Sequence, residues 1–79
     1  MELCIYIRGV AGVAIGDLED ALDETLVGVG EVTGSGTGMG GSNIDIEVAE
    51  ESLPKRDLVA KIREALEAQG VSDYQVVFR

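Results

Sequence analysis

The sequence predicts an α+β fold with the element order β-α-β-β-α-β. Two segments have the apolar spacing of amphipathic helices, and four short segments rich in β-branched or aromatic residues surround them. Glycines punctuate most of the boundaries between these segments. A chain of 79 residues can bury one modest core. We therefore expect residues 1–79 to form a single domain.

The strongest β character lies in segments 2–8 (ELCIYIR) and 43–48 (NIDIEV). Each places alternate apolar residues on one face: Leu3, Ile5 and Ile7 in the first, and Ile44, Ile46 and Val48 in the second. Segments 29–33 and 74–79 have a weaker strand pattern. We expect the first two segments to be central strands and the other two to be edge strands.

The first helix is predicted to start at Asp17, which acts as its N-cap. Leu18, Leu22 and Leu26 recur at every fourth position and form an apolar stripe, while acidic residues fill the remaining positions. Gly28 suits the left-handed conformation that ends many helices. This pattern predicts a short helix with an apolar inner face and an acidic outer face.

The second helix is predicted to be capped by Ser52, with Pro54 near its first turn. Its apolar stripe contains Leu58, Val59, Ile62, Ala65 and Leu66. Gly70 is the expected C-terminal stop, and Val71 is the apolar residue that follows it.

This element order is that of the ferredoxin-like fold, in which two βαβ halves are joined. Right-handed crossovers leave few alternatives to it. The expected sheet is antiparallel with strand order 4-1-3-2, and both helices cover one face. The other face of the sheet is expected to be open.

The charge distribution predicts the kind of partner. Fifteen acidic and six basic residues give a net charge of −9. Such a surface disfavours nucleic acid and anionic membranes, which require cationic contacts. A basic partner protein is the natural complement. The alternative is an acidic surface that only keeps the protein in solution.

Cysteine content and hydropathy predict a cytoplasmic protein. Cys4 is the one cysteine of the chain, so no internal disulfide can form and a reducing compartment fits. The N-terminal residues have the pattern of a strand rather than of a signal peptide. No apolar run approaches the length of a membrane span.

The residue types do not favour catalysis. The chain contains no histidine, which is the commonest general base. The carboxylates of DLEDALDE are expected on a solvated helix face rather than around a calcium ion. Cys4 is expected to be a small packed side chain. We therefore expect a protein that is not an enzyme and binds no metal or cofactor.

The predicted partner-binding surface combines the acidic helix with the open sheet face, which is also expected to carry Glu31 and Thr33. Tyr6 is its expected aromatic anchor and carboxylates provide steering charge. Its residues are Tyr6, Arg8, Asp17, Glu19, Asp20, Asp23, Glu24, Asp45 and Glu47. A small bacterial immunity or inhibitor protein, or an adaptor, would have such a surface.

The segment 33–41, TGSGTGMGG, raises an alternative function. It is predicted to be a flexible hairpin loop, because a strand rather than a phosphate-binding helix follows it. The topology places it beside the glycine-rich loop 9–16, and paired loops with bare backbone can bind a small ligand. The residues of this alternative site are Gly9, Gly12, Gly16, Gly34, Ser35, Gly36, Thr37, Gly38, Gly40 and Gly41.

The glycines after the first strand, followed by Asp and an apolar helix in RGVAGVAIGDLEDAL, resemble ACT-type regulatory domains. More loosely, the element order resembles that of the trimeric nitrogen-signalling proteins. The ACT resemblance implies a regulatory domain that binds an amino acid at this loop, often across a dimer interface. The proline–glycine turn usual in ACT domains is absent here. A homodimer through an edge strand fits either function.

Overall fold

The computed structural model describes residues 1–8, 15–38, 40–49 and 53–79. The elements are β1 (Glu2–Arg8), α1 (Ile15–Thr25), β2 (Gly30–Gly38), β3 (Gly41–Val48), α2 (Lys55–Ala68) and β4 (Tyr74–Phe78). This order confirms the predicted β-α-β-β-α-β arrangement. The predicted loop at 9–16 lies outside the described residues except for its last two positions, which belong to α1.

The four strands form one antiparallel sheet with the order β2-β3-β1-β4. Read from the opposite edge, this is the predicted 4-1-3-2 arrangement of the ferredoxin-like fold. Ile5 of β1 lies opposite Ile44 of β3 on one side and opposite Val76 of β4 on the other. The two strands with the strongest β character are therefore central.

One face of the sheet and the inner sides of both helices form the hydrophobic core. Alternate residues of β1 and β3 supply its sheet side, as their period-2 pattern requires. The helices contribute Leu18 and Leu22 from α1, and Leu58, Ile62, Ala65 and Leu66 from α2. Val59, predicted for the same stripe, is half-buried. Because both helices cover this face, the alternate strand residues lie on an open face.

The helix ends agree with the glycine predictions but not with the capping predictions. Gly28 and Gly70 adopt φ angles of 79° and 84°, which residues other than glycine rarely adopt. The prediction of Asp17 as N-cap is wrong, because α1 begins at Ile15 and Asp17 lies in its first turn. Pro54 occupies the N-cap position of α2. Ser52, the predicted cap, lies outside the described residues.

The glycine-rich segment belongs to the predicted hairpin between β2 and β3, but most of it is strand, so the prediction of a flexible loop over 33–41 is wrong. β2 continues to Gly38 and β3 starts at Gly41, with Gly40 in the turn at a φ of 83°. Pairing with the strongly β-forming β3 overrides the low strand propensity of glycine. Gly41 also lies too close to the Ile7 carbonyl oxygen of β1 to carry a side chain.

Candidate partner-binding face of the sheet

Three glutamates line up across three neighbouring strands on the open face. Glu47 of β3 lies opposite Glu2 of β1 on one side and opposite Glu31 of β2 on the other. All three side chains are exposed. We call Glu2, Glu47 and Glu31 the glutamate row. Like charges directly opposite each other in a sheet repel, so this arrangement is unfavourable unless cations lie nearby.

The N-terminal ammonium group supplies one cation to this row. The nitrogen of Met1 lies 3.5 Å from Glu47 Oε1. It also donates a hydrogen bond of 2.9 Å to the carbonyl oxygen of Val48. The row therefore contains three carboxylates with one adjacent ammonium, and it remains net negative.

Tyr6 is the exposed aromatic side chain of the open face. It is 43% exposed and lies opposite Asn43 of β3 and Gln75 of β4. Gly34 and Gly36 have no side chains, so this part of β2 does not project above the open face of the sheet. The ring of Tyr6 is therefore accessible to a partner from above the sheet.

A shallow cleft of about 440 Å³ adjoins Tyr6 at the hairpin end of the sheet. Its walls include Tyr6 and Arg8 of β1, Gly38 and Gly41 of the hairpin, and Gln75 of β4. The cleft thus brings together residues from the two predicted sites, the partner surface and the glycine segment. Its volume is within the range of small-molecule pockets, but the cleft is shallow and open, which suits a side chain of a partner more than an enclosed small molecule.

Asp45 and Arg79 form a loose ion pair between the glutamate row and Tyr6. Arg79 Nη2 lies 3.9 Å from Asp45 Oδ1 and donates a long hydrogen bond of 3.4 Å to Tyr6 Oη. Asp45 Oδ1 is buried and accepts no hydrogen bond within the described structure. Arg79 and Glu2 were absent from the predicted site. Strand alternation places Glu2 on this face, whereas finding the contacts of Arg79 needs the β1–β4 pairing.

Cys4 is fully buried, yet it belongs to the open face rather than to the core. It lies opposite Asp45 of β3 and Val77 of β4, on the side of β1 away from the helices. Burial raises the pKa of the Cys4 thiol, and a hydrogen bond to the Asp45 carboxylate raises that pKa further. The structure therefore keeps a protonated, inert thiol beneath this surface.

The raised pKa of Cys4 predicts an alkaline loss of stability. The thiol of the unfolded chain ionises at a lower pH than the thiol of the folded protein. The contribution of Cys4 to the free energy of unfolding is therefore complete below about pH 8.5, and it falls as the pH rises towards the pKa of the folded thiol. We expect the thermal midpoint of the wild-type protein to fall more steeply over this interval than that of Cys4→Ala. Thermal melts from neutral to alkaline pH measure both slopes. Equal slopes, or rapid thiol labelling of the native protein, would contradict this assignment.

Two acidic residues of α1 contact β2 through hydrogen bonds. Asp23 Oδ1 accepts a 2.9 Å hydrogen bond from the Val32 N–H, and Glu19 accepts one from the Ser35 hydroxyl. Asp23 is still exposed and Glu19 is half-buried, so these two members of the predicted solvated face have a structural contact as well. Both residues hold α1 against the outer edge of β2.

The remaining acidic residues of α1 belong to a surface separate from the open face. Asp17, Asp20 and Glu24 are exposed. They lie in the helix layer, whereas Tyr6, Arg8, Asp45 and Glu47 lie on the opposite side of the sheet. The predicted partner surface therefore divides into two acidic regions.

The residues of the predicted ligand site are also divided. Gly9 and Gly12 lie outside the described residues, and Gly16 belongs to α1. The segment 34–38 pairs with β3, so its β3-facing backbone groups take part in the sheet. Ser35 and Thr37 lie opposite Ile44 and Ser42, on the helix side. Gly38, Gly40 and Gly41 line the cleft beside Tyr6.

Most basic residues of the chain lie on α2. Lys55, Arg56 and Arg63 flank Val59 and Ala60 in a shallow depression on the helix. Lys55 Nζ lies 5.1 Å from the centre of the Phe78 ring, within cation–π range. The separation of charge leaves the open face and α1 acidic.

The described residues contain no cluster of three potential metal-ligating His, Cys, Asp or Glu side chains. Within that same part of the chain, neither helix has the length and apolar character needed to cross a membrane. The sequence matches no protein-family model and has no significant match among curated proteins.

Proposed function

We propose that this protein is a non-catalytic module that binds a basic protein through the open face of its sheet. The observation that carries this proposal is the glutamate row, Glu2, Glu47 and Glu31, aligned by strand register. Like charges placed opposite each other lower the free energy of unfolding, and a bound cationic partner would relieve their repulsion. Small inhibitors of basic proteins and adaptors both fit this description.

Tyr6 gives the proposed interface an anchor beside the charged row. Exposed tyrosines are enriched among the residues that dominate binding energy, since they bury a large area at a small entropic cost. Tyr6 adjoins the cleft, and Asp45 lies on the next row of the open face. A lysine or arginine of the partner would bind the carboxylates while an adjacent side chain packs against Tyr6.

Electrostatic steering would accelerate the association. The net charge of −9 attracts a basic protein over a distance set by the Debye length, about 10 Å at 0.1 M salt. The exposed acids of α1 would contribute to this long-range attraction without contacting the partner. Binding is thus expected to weaken with salt, and the loss of Tyr6 to weaken it at every salt concentration.

A charge-reversal pair tests whether the open face binds the partner. We expect Glu31→Lys/Glu47→Lys to abolish capture of a basic protein from native extract, measured by affinity capture and mass spectrometry at low and high salt. Glu64→Lys/Glu67→Lys on α2 is the matched control, because its side chains are exposed and its net charge is identical. We expect this control to retain the partner.

A conservative variant separates binding from folding. Glu31→Gln removes one like-charge contact, so the isolated protein is expected to melt at a higher temperature while binding the captured partner more weakly. Equal loss of capture in the α2 control would show a non-specific charge effect. Full capture by the Glu31/Glu47 reversal would overturn the proposed face, and no basic protein captured by the wild type would overturn the proposed function.

A further inference from the structure

β4 lies at an edge of the sheet and directs backbone groups outward. The Arg8 N–H donates to the Asp73 carbonyl oxygen at 3.0 Å, and the Arg79 N–H donates to the Glu2 carbonyl oxygen at 2.9 Å. Alternate residues of an antiparallel strand face its partner. The N–H and C=O groups of Tyr74, Val76 and Phe78 therefore point away from β1.

The first half of the β2 edge differs from the β4 edge. On β2, the outward N–H groups of Gly30 and Val32 donate to the Leu26 carbonyl oxygen and to Asp23 Oδ1. Within residues 1–8, 15–38, 40–49 and 53–79, no hydrogen bond reaches the outward N–H groups of β4. The residues of β4, YQVVF, include neither proline nor lysine, which commonly protect an edge strand from pairing.

We propose that a second copy of this chain pairs with β4 in antiparallel orientation, with the two-fold axis at Val76. The segment 73–79, DYQVVFR, is complementary to itself in this register. Asp73 lies opposite Arg79 of the second copy on the open face. On the helix side, Tyr74 lies opposite Phe78 of the second copy, and Val76 lies opposite its own equivalent.

Each of these pairs stabilises antiparallel strands. Opposite charges, aromatic pairs and β-branched pairs are the favourable cross-strand combinations. Tyr74, Val76 and Phe78 are each only half-buried in one copy. An unrelated partner strand has no reason to match both the charges and the aromatic positions, so the observations favour a two-fold dimer.

The dimer would form a continuous eight-stranded sheet. A two-fold axis perpendicular to the sheet keeps the open faces of both copies on the same side. The Tyr6 residues and glutamate rows of the two copies would then belong to one surface. This inference does not depend on the proposed partner, since it uses backbone groups and residues of the β4 edge.

A charge exchange tests the register. Sedimentation velocity from micromolar to millimolar protein is expected to show a monomer–dimer equilibrium for the wild type. Asp73→Arg and Arg79→Asp each place like charges opposite each other at two symmetric positions, so each should raise the dissociation constant at least about tenfold. The double variant restores the opposite-charge pairs and should return the dissociation constant to near its original value.

Val76→Pro tests the backbone pairing. The Val76 N–H points away from β1. Proline at this position therefore removes a donor for the second copy, while the β1–β4 hydrogen bonds remain. We expect monomers with a thermal midpoint close to that of the wild type. If this variant fails to fold, the charge-exchange variants alone test the proposed dimer. A wild type that is monomeric at millimolar concentration, a dimer insensitive to both charge variants, or a double variant that stays dissociated would each overturn the proposal.

Discussion

Replacing Ile5 by alanine is expected to produce the largest loss of stability of any conservative core truncation on β1. Ile5 is fully buried on the central strand, between Ile44 and Val76. Truncation removes apolar contacts and leaves a cavity that two strands and the helix layer cannot easily close, at a cost of about 2–5 kcal/mol. Domains of 79 residues are stable by roughly 4–12 kcal/mol, so this truncation should remove a large fraction of the total stability.

Urea unfolding followed by circular dichroism measures this loss. Ile5→Val is the graded control, because it removes a single methylene group and should cost about 0.5–1.5 kcal/mol. Glu64→Ala on the exposed side of α2 should change the free energy of unfolding by less than about 0.5 kcal/mol. A loss below about 1 kcal/mol for Ile5→Ala would mean that Ile5 is not tightly packed in the core.

Gly41→Ala is expected to give the second large effect. A Cβ atom at this position would overlap the Ile7 carbonyl oxygen, which belongs to the backbone of β1 and cannot rotate away. The strands must separate locally to accept it, with an expected cost of about 1–3 kcal/mol. The change would also disturb the cleft, because Gly41 and Ile7 both line it.

Gly38→Ala is the matched control for this position. Gly38 lies directly opposite Gly41 in the same hairpin, and a Cβ atom added to Gly38 would have no neighbour within 4 Å among the described residues. Alanine there should be neutral or stabilising by up to about 1 kcal/mol, because it restricts the unfolded chain. Equal effects of the two variants in denaturant titrations would show that glycine flexibility, rather than close strand approach, matters in this hairpin.

The proposed partner interface and the proposed dimer interface use different parts of the sheet, so the two proposals can be tested separately. The partner interface depends on Glu31, Glu47 and Tyr6, whereas the dimer depends on Asp73, Val76 and Arg79. Arg79 lies near both surfaces, through its contacts with Asp45 and Tyr6. A dimer that binds no basic protein would leave the edge-strand inference intact, and a monomer that binds one would leave the partner proposal intact.

Local patterns were sufficient to predict the elements and their inner faces. The four-residue recurrence of Leu18, Leu22 and Leu26 placed α1, and alternation placed the core residues of β1 and β3. Gly28 and Gly70 marked the helix ends, because their left-handed conformations strongly favour glycine. These features depend on neighbouring residues and on the fixed periods of helices and strands.

Only the tertiary structure decided the composition of the candidate site. The glutamate row depends on register between strands far apart in sequence, and register is a property of paired strands. The same pairing extended β2 through glycines that locally favour a turn, and it placed Cys4 opposite Asp45. The contact of Asp23 with the β2 edge gives an exposed carboxylate a structural role as well. Periodicity thus determined which face each residue occupies, while long-range pairing determined which residues meet there.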